Sequence, residues 1–335
     1  MFNRSAEAHS AAAIFDKTAK ATTASLTGAQ HVVAGIMDAL VAQLGDEVQD
    51  VDEGEQRSIV LIMPGVSEAR ASKNVGPRLQ HMVMDLGMLN PKATVLDIAI
   101  AGRDFEITQS PGLLQSSRDG GTTGAAVWQS TLRCSEWLAS PTNFLYTSGI
   151  LSSGSLVLEL GAGISGILPC ILASHVKKVV ATDQPYTLRA LQSNIELNAR
   201  SNRTTNNVKN YNIEVCPLDW EKDDVAGFLH AHGFQGGLDV ILACDCIYNY
   251  ALIEPFVQTC ADLCRSRHRD DDNHTINRPT ICVVVQQLRQ AEVFEQWMSA
   301  FHKLFRSWRV PSDLLPRDLR EDSGFAVHVG ILRSR

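Results

Sequence analysis

No uninterrupted apolar run in this 335-residue chain approaches the roughly 20 residues that a bilayer-crossing helix needs, so no membrane-spanning segment is expected. An excess of positive charge is also lacking. The 30 Lys and Arg residues stand against 37 Asp and Glu, for a net charge of −7. Nucleic-acid surfaces are built from clustered Lys and Arg, so direct nucleic-acid contact is not expected, whereas mild acidity suits a basic protein partner. Met1 to Ala13 lacks the continuous apolar stretch of a secretory leader. A mitochondrial transit peptide fits poorly, because Glu7 and Asp16 fall in a segment that should be poor in acids. The eight cysteines lack the spacing of a zinc site. Cys244-x-Cys246 and Cys260-x-x-x-Cys264 do not pair into a ligand set, and His230-x-His232 lies far from both in sequence. Most of the thiols, such as Cys170, Cys216 and Cys282, sit in apolar segments, the setting of buried, reduced cysteines in a cytoplasmic or nuclear compartment. No metal is expected, and no internal repeat is visible.

What is present divides the chain in two. Residues 1–92 carry short apolar patches broken by polar stretches, including the acidic "GDEVQDVDEGEQR" from Gly45 to Arg57 and a short strand-like "IVLIMPG" just after it. They are taken as an accessory extension packed on a main domain of residues 93–335. That domain opens on a hairpin over 94–109, turning at Ala101-Gly102. A flexible loop marked by Gly120, Gly121 and Gly124 follows, then Trp128 and a helical stretch from Thr131 to Ala139. From Ser155 onward strand and helix alternate. "LVLEL", "KVVATD", "YNIEVCP", "DVILACD", "TICVVVQQ" and "GFAVHVGIL" read as strands. Helical periodicity spans 185–198, 251–264 and 291–304, and "RHRDDDN", Arg267 to Asn273, reads as a charged surface loop. This alternation implies an α/β fold: a Rossmann-like parallel sheet with helices on both faces.

The first strand of that sheet runs into "ELGAGISG", in which Gly161, Gly163 and Gly166 spell Gly-x-Gly-x-x-Gly. Ligands of such sheets bind at the carboxyl ends of the strands, and glycines there let backbone N–H groups approach closely. Asp183 ends the next strand, about twenty residues on, where an acid accepts hydrogen bonds from ribose hydroxyls. A nucleoside is therefore expected, and to this point a dinucleotide and S-adenosylmethionine fit equally. Glu159, two residues before the first glycine, suits a ligand bearing an ammonium group and would repel a pyrophosphate. Asp219-Trp220 after the third strand offers an acid and an aromatic wall for an adenine. Asp245 and Tyr248 stand at the end of the fourth strand, and Trp128 precedes the first.

Taken as an ordered set, "GAAVW", "ELGAG", "TD", "LDW" and "DCIY" resemble the seven-β-strand S-adenosylmethionine-dependent methyltransferases. More narrowly they resemble the small protein-lysine methyltransferases marked by Asp-x-x-Tyr after the fourth strand. The resemblance covers residues 94–335. It implies S-adenosyl-L-methionine as cofactor, contacted by Trp128, wrapped by Gly161, Ala162 and Gly163, bound through its ribose by Asp183, and flanked at its adenine by Asp219 and Trp220. Cys244 falls where the family has a small residue against the cofactor, a mild departure. The motif positions are Asp245 and Tyr248. The extension and the "GTTG…VWQST" loop are most similar to members acting on a large-subunit ribosomal protein, so a monomeric enzyme with a protein substrate is expected.

Methyl transfer from a sulfonium requires neither metal nor covalent enzyme intermediate. The protein must hold amine and methyl in near-attack geometry and must deal with a lysine whose pKa is near ~10.4. Desolvation and a nearby sulfonium lower that value, whereas a carboxylate raises it. Asp245 is therefore assigned to capturing and orienting the lysine, and Tyr248 to a hydrogen bond or an aromatic wall for the ammonium. Two other readings stand beside this one. A NAD(P)-dependent oxidoreductase would rest on the glycine fingerprint and Asp183 alone, with no Tyr-x-x-x-Lys in the chain. A non-catalytic binding module would have kept the motifs without turnover.

Overall fold

The computed structural model describes residues 33–49, 87–114, 122–201, 212–234, 236–268 and 278–334. The first thirty residues, the "IVLIMPG" stretch, Gly120, Gly121 and most of the acidic and "RHRDDDN" stretches lie outside the described residues.

A helix, α1, runs through residues 33–44. A hairpin follows, β1 (Val95–Ile100) and β2 (Arg103–Thr108), paired antiparallel about Ala101-Gly102. Both turn residues have positive φ, the conformation a two-residue hairpin turn demands. Helix α2 (Gln129–Ala139) leads into the main sheet. The sheet is laid down by β3 (Leu156–Leu160), α3 (Ile167–Leu172), β4 (Lys178–Asp183), α4 (Pro185–Ser201), β5 (Ile213–Pro217), α5 (Val225–Ala231), β6 (Val240–Cys244), α6 (Tyr250–Arg265), β7 (Ile281–Gln287), α7 (Ala291–Leu304), β8 (Phe305–Arg309) and β9 (Phe325–Leu332). Its spatial order is β5-β4-β3-β6-β7-β9-β8. Strand order reverses beside β3, which places the switch point at the glycine turn that follows it.

The sheet is not wholly parallel, in contrast to the expectation from strand–helix alternation. Its first five strands in space are parallel, but β9 runs antiparallel to both β7 and β8. No helix separates β8 from β9, only short 3-10 turns. A connection without a crossover returns the chain antiparallel beside the strand it has just left. The strand β8 itself is not visible in sequence, because α7 passes into it at Leu304–Phe305 with no Gly, Pro or Asn to mark the change.

Both sheet faces are covered, and the strand side chains divide between them with period two. Leu158, Leu160, Ile241, Ala243, Cys282 and Val284 pack with α5, α6 and α7. Val157, Val240, Leu242, Val283 and Val285 pack with α2, α3 and α1, whose Leu40 and Leu44 are buried. The described part of the N-terminal extension thus completes a face of the core. Beyond α1, Val48 N–H donates to Ser307 O of β8 at 2.9 Å, and Glu47 pairs with Arg306 and Arg333. The hairpin docks on α4 through side chains that imitate a strand. Asn194 and Asn198 each accept from and donate to the backbone of β2, at Thr108 and Glu106, over 2.9–3.0 Å. Two amides one helical turn apart meet alternate residues of the strand, which satisfies an edge that would otherwise be exposed. All eight cysteines are buried and unpaired by disulfide.

Candidate active site

A cleft opens at the carboxyl ends of β3, β4, β5 and β6, with about 850 Å³ of space when the open solvent at its mouth is counted. The sequence reading placed Trp128, Gly161, Ala162, Gly163, Asp183, Asp219, Trp220, Cys244, Asp245 and Tyr248 at such a site, and all of them line this cleft. Glu159 does not.

The floor is the turn after β3. Gly161 and Gly163 have φ of 64° and 60°, a region that side chains resist by roughly 1–2 kcal/mol per residue. Space is short as well. A Cβ at 161 would lie 2.8 Å from Cys246 Sγ and 3.4 Å from Trp220, and one at 163 would lie 3.2 Å from Gly124 O. The two glycines therefore leave a cradle that any other residue would fill. Asp183, at the end of β4, accepts from Gly163 N–H at 2.7 Å and Gln184 N–H at 2.6 Å. Burial raises its pKa against the pull of those backbone donors. Glu159 is buried beneath the turn, with Oε2 lacking a hydrogen-bond partner. Burial first and the charge of Asp183 second push its pKa up to about 8, so at neutral pH it holds a proton.

Trp220 forms one wall, packed at 5.2 Å against the Phe256 ring of α6. Asp219 beside it is committed to its own turn. It accepts from Glu221 N–H at 3.1 Å and from Lys222 Nζ at 2.8 Å. Partial burial works to raise its pKa, but these hydrogen bonds outweigh burial and lower it.

The opposite wall is a strap before α2. Trp128 Nε1 donates to Thr123 O at 3.0 Å, Thr123 Oγ1 to the Tyr248 hydroxyl at 3.1 Å, and Gly124 N–H to the Tyr186 hydroxyl at 3.2 Å. Tyr248 is half-exposed at the mouth, and burial of its hydroxyl raises its pKa. Sequence reasoning missed Thr123 and Tyr186, whose roles here come from contacts across more than sixty residues.

Asp245 departs most from expectation. It has φ of 61°, uncommon for a residue with a side chain though best tolerated by Asn and Asp. Its carboxylate is already engaged by side chains at the end of β7 and beyond it. Oδ1 accepts from Gln286 Nε2 at 2.9 Å and Arg289 Nη1 at 2.8 Å, and Oδ2 accepts from Arg289 Nη2. Arg289 had no sequence signal, since it lies past β7 in an unremarked "QQLRQ".

Among the described residues one mixed group has metal-ligand chemistry, Glu214, Cys216 and His232, away from the cleft. His232 Nδ1 lies 2.7 Å from Glu214 Oε1, and Lys178 takes the other Glu214 oxygen at 2.5 Å, so the carboxylate is compensated by side chains already present.

The fold and the cleft define a seven-stranded, Rossmann-like sheet with a ligand cleft at its switch point. A family model described as lysine methyltransferase matches residues 108–275, and the chain belongs to that family. It is 32% identical over 228 residues to ribosomal lysine N-methyltransferase 5 of Zygosaccharomyces rouxii, covering 58% of this chain and 69% of that protein. To the protein of the same name from Lachancea thermotolerans it is 26% identical, covering 65% and 82%. It is also 28% identical over 227 residues to a Schizosaccharomyces pombe diaminohydroxyphosphoribosylamino-pyrimidine deaminase, covering 66% of this chain. The chain spans only 47% of that relative's length. The zinc-deaminase pattern His-x-Glu followed by Pro-Cys-x-x-Cys occurs nowhere in this sequence. Among solved structures, the N-methyltransferase NodS of Bradyrhizobium japonicum shares 12% identity at a TM-score of 0.35, covering 56% of this chain and 81% of that one.

Proposed function

We propose that this chain methylates the side-chain amine of a lysine in a large-subunit ribosomal protein, as a monomer, in the cytoplasm or nucleus. The observation that carries the reading is the charge of the cleft. Asp183 and Glu221 line it, beside Asp219 and Asp245, which Lys222 and Arg289 already hold, and no Lys or Arg is among the described residues lining it. Such a site attracts a sulfonium nucleoside and a lysine, both cations, and repels the pyrophosphate of a nicotinamide dinucleotide. The relatives named for ribosomal lysine methylation supply the substrate class.

S-adenosylmethionine, when bound, supplies a methyl group on positively charged sulfur that an amine lone pair displaces in line. The glycine cradle and the Asp183 carboxylate fit its amino-acid and ribose portions. Trp220 gives the base a flat apolar wall, with Asp219 at its edge. Trp128 and the strap close the cleft on the side facing α2. Glu159, protonated while nothing positive is near, is placed to ionise as a cation settles above it. Tyr248 and Tyr250, 38% and 50% exposed, lie on the segment leading from the cleft into α6 and present aromatic faces to a lysine-bearing peptide. Their number is telling, because only two other large apolar side chains, Val95 and Leu197, are comparably exposed among the described residues.

The test is transfer of labelled methyl from S-adenosylmethionine to ribosomal proteins by the purified chain, with the labelled residue located by mass spectrometry. Label on a lysine of a large-subunit protein is expected. Absence of label, together with calorimetric binding of NADH in place of S-adenosylhomocysteine, overturns the reading in favour of an oxidoreductase.

A further inference from the structure

Arg289 is held from four sides. Its two terminal nitrogens grip the Asp245 carboxylate, and Nη2 also donates to Gln287 Oε1 at 3.0 Å. Its guanidinium carbon lies 5.0 Å from the Trp128 ring centroid, within cation–π range. The backbone of Gly87 closes the fourth side, where a Cβ would stand 2.8 Å from Nη2 and 1.9 Å from Gln287 Oε1. The side chains of Asp245 and Arg289 are only 2% and 17% exposed. This is a built arrangement of the kind that fixes orientation.

Its consequence concerns the substrate, and it rests on the lysine-methylation reading above. A lysine ammonium has no lone pair, so it must lose a proton before it attacks. Every other ionisable group facing the space in front of Asp245 opposes that loss or is indifferent to it. Asp183 at the end of β4, with Asp219 and Glu221 after β5, favours the ammonium, and Lys222 is turned to pair with Asp219. Cys244, Cys246, Tyr186 and Tyr248 bring no positive charge, and Glu159 beneath them holds a proton. A bare Asp245 carboxylate would add the nearest negative charge of all, and an opposite charge within ~4–6 Å raises an amine's pKa by roughly 1–3 units.

We propose that Arg289 is a positioning residue that cancels the charge of Asp245, so that the amine arriving beside it persists as the free base. Asp245 then serves as an oriented, neutralised partner of the guanidinium and not as a bare anion capturing an ammonium.

The pH dependence of kcat tests this. For the wild type, kcat rises with pH along a limb set by the bound lysine. Arg289→Gln is expected to move that limb upward by one pH unit or more and to regain activity at alkaline pH. Arg289→Lys, which keeps the charge but loses the fork, is expected to keep the wild-type limb. The double variant Asp245→Asn with Arg289→Gln is expected to restore it. A loss by the same factor at every pH in Arg289→Gln, with the limb unmoved, makes the contact merely structural and overturns the proposal. Should Arg289→Gln not fold, Asp245→Asn is read alone. It leaves the guanidinium unpaired beside the amine, so its limb must move down, and an unmoved limb overturns the proposal equally. A wild-type chain that methylates no lysine overturns the functional reading and takes this inference with it, whereas lysine methylation with unshifted limbs overturns the inference alone.

Discussion

Replacing Glu159 by glutamine removes an ionisable group from beneath the glycine turn while keeping nearly the same shape. In the native protein, burial and then the charge of Asp183 raise this carboxyl from an ordinary 4.5 to about 8. Between those values the native state keeps a proton that the unfolded chain has released. Its contribution to stability is therefore fully present below pH 4.5 and is lost as pH rises through about 8. At ~1.4 kcal/mol per pH unit the full loss comes to about 5 kcal/mol. Glutamine does not titrate, so the variant escapes that loss. In urea unfolding without ligand, Glu159→Gln and the wild type are expected to be close in stability near pH 5. The variant should gain several kcal/mol relative to the wild type by pH 8.5. A difference that stays constant within about 1 kcal/mol across this range refutes the assignment of a trapped proton to Glu159. The same proton gives a second measurement. An ammonium group held above Glu159 favours its ionised form, so binding of S-adenosylhomocysteine through its amino-acid ammonium at pH 7 should release a proton, seen as a dependence of the calorimetric heat on buffer ionisation enthalpy. That release should disappear in Glu159→Gln.

Gly161→Ala is expected to lower S-adenosylhomocysteine affinity at least tenfold, because the added Cβ meets Cys246 Sγ at 2.8 Å in a backbone conformation side chains resist; isothermal titration checks this, and unchanged affinity would remove the cradle from the site. Tyr248→Ala is expected to reduce methylation of a lysine peptide by roughly 2- to 30-fold, the equivalent of ~0.5–2 kcal/mol of cation–π contact, while Tyr248→Phe keeps most of the activity. Equal losses in the two variants would point to the hydroxyl and its contact with Thr123 instead. Leu40→Ala is expected to destabilise the protein by about 2–5 kcal/mol, since Leu40 is fully buried in the core cluster on one sheet face; a change under 0.5 kcal/mol in chemical denaturation would make α1 a detachable appendage.

Most of the α/β core was legible in the sequence because strands covered on both faces read as continuous apolar runs. "LVLEL", "KVVATD" and "ICVVVQQ" are of this kind, and Ala291–Leu304 keeps a helical period throughout. The turn glycines, Asp183, Trp220, Asp245 and Tyr248 were legible for a related reason. Residues at the carboxyl ends of parallel strands converge wherever the sheet is assembled, so a position in sequence already implies a position at the site. The last strand pair was less legible. Phe305–Arg309 follows its helix without a break, and the antiparallel return of β9 depends on the absence of a crossover helix, not on any residue pattern.

What the sequence by itself determined was the set of chemical groups at the ends of the strands and their order around the cleft, because local periodicity places each one. The tertiary structure alone decided the electrostatic state of those groups. Arg289 reaches Asp245 across 44 residues because β6 and β7 lie side by side. Glu159 holds a proton because packing removes water from around it. Charge pairing and desolvation depend on what surrounds a side chain in space, and neighbours along the chain carry no record of that.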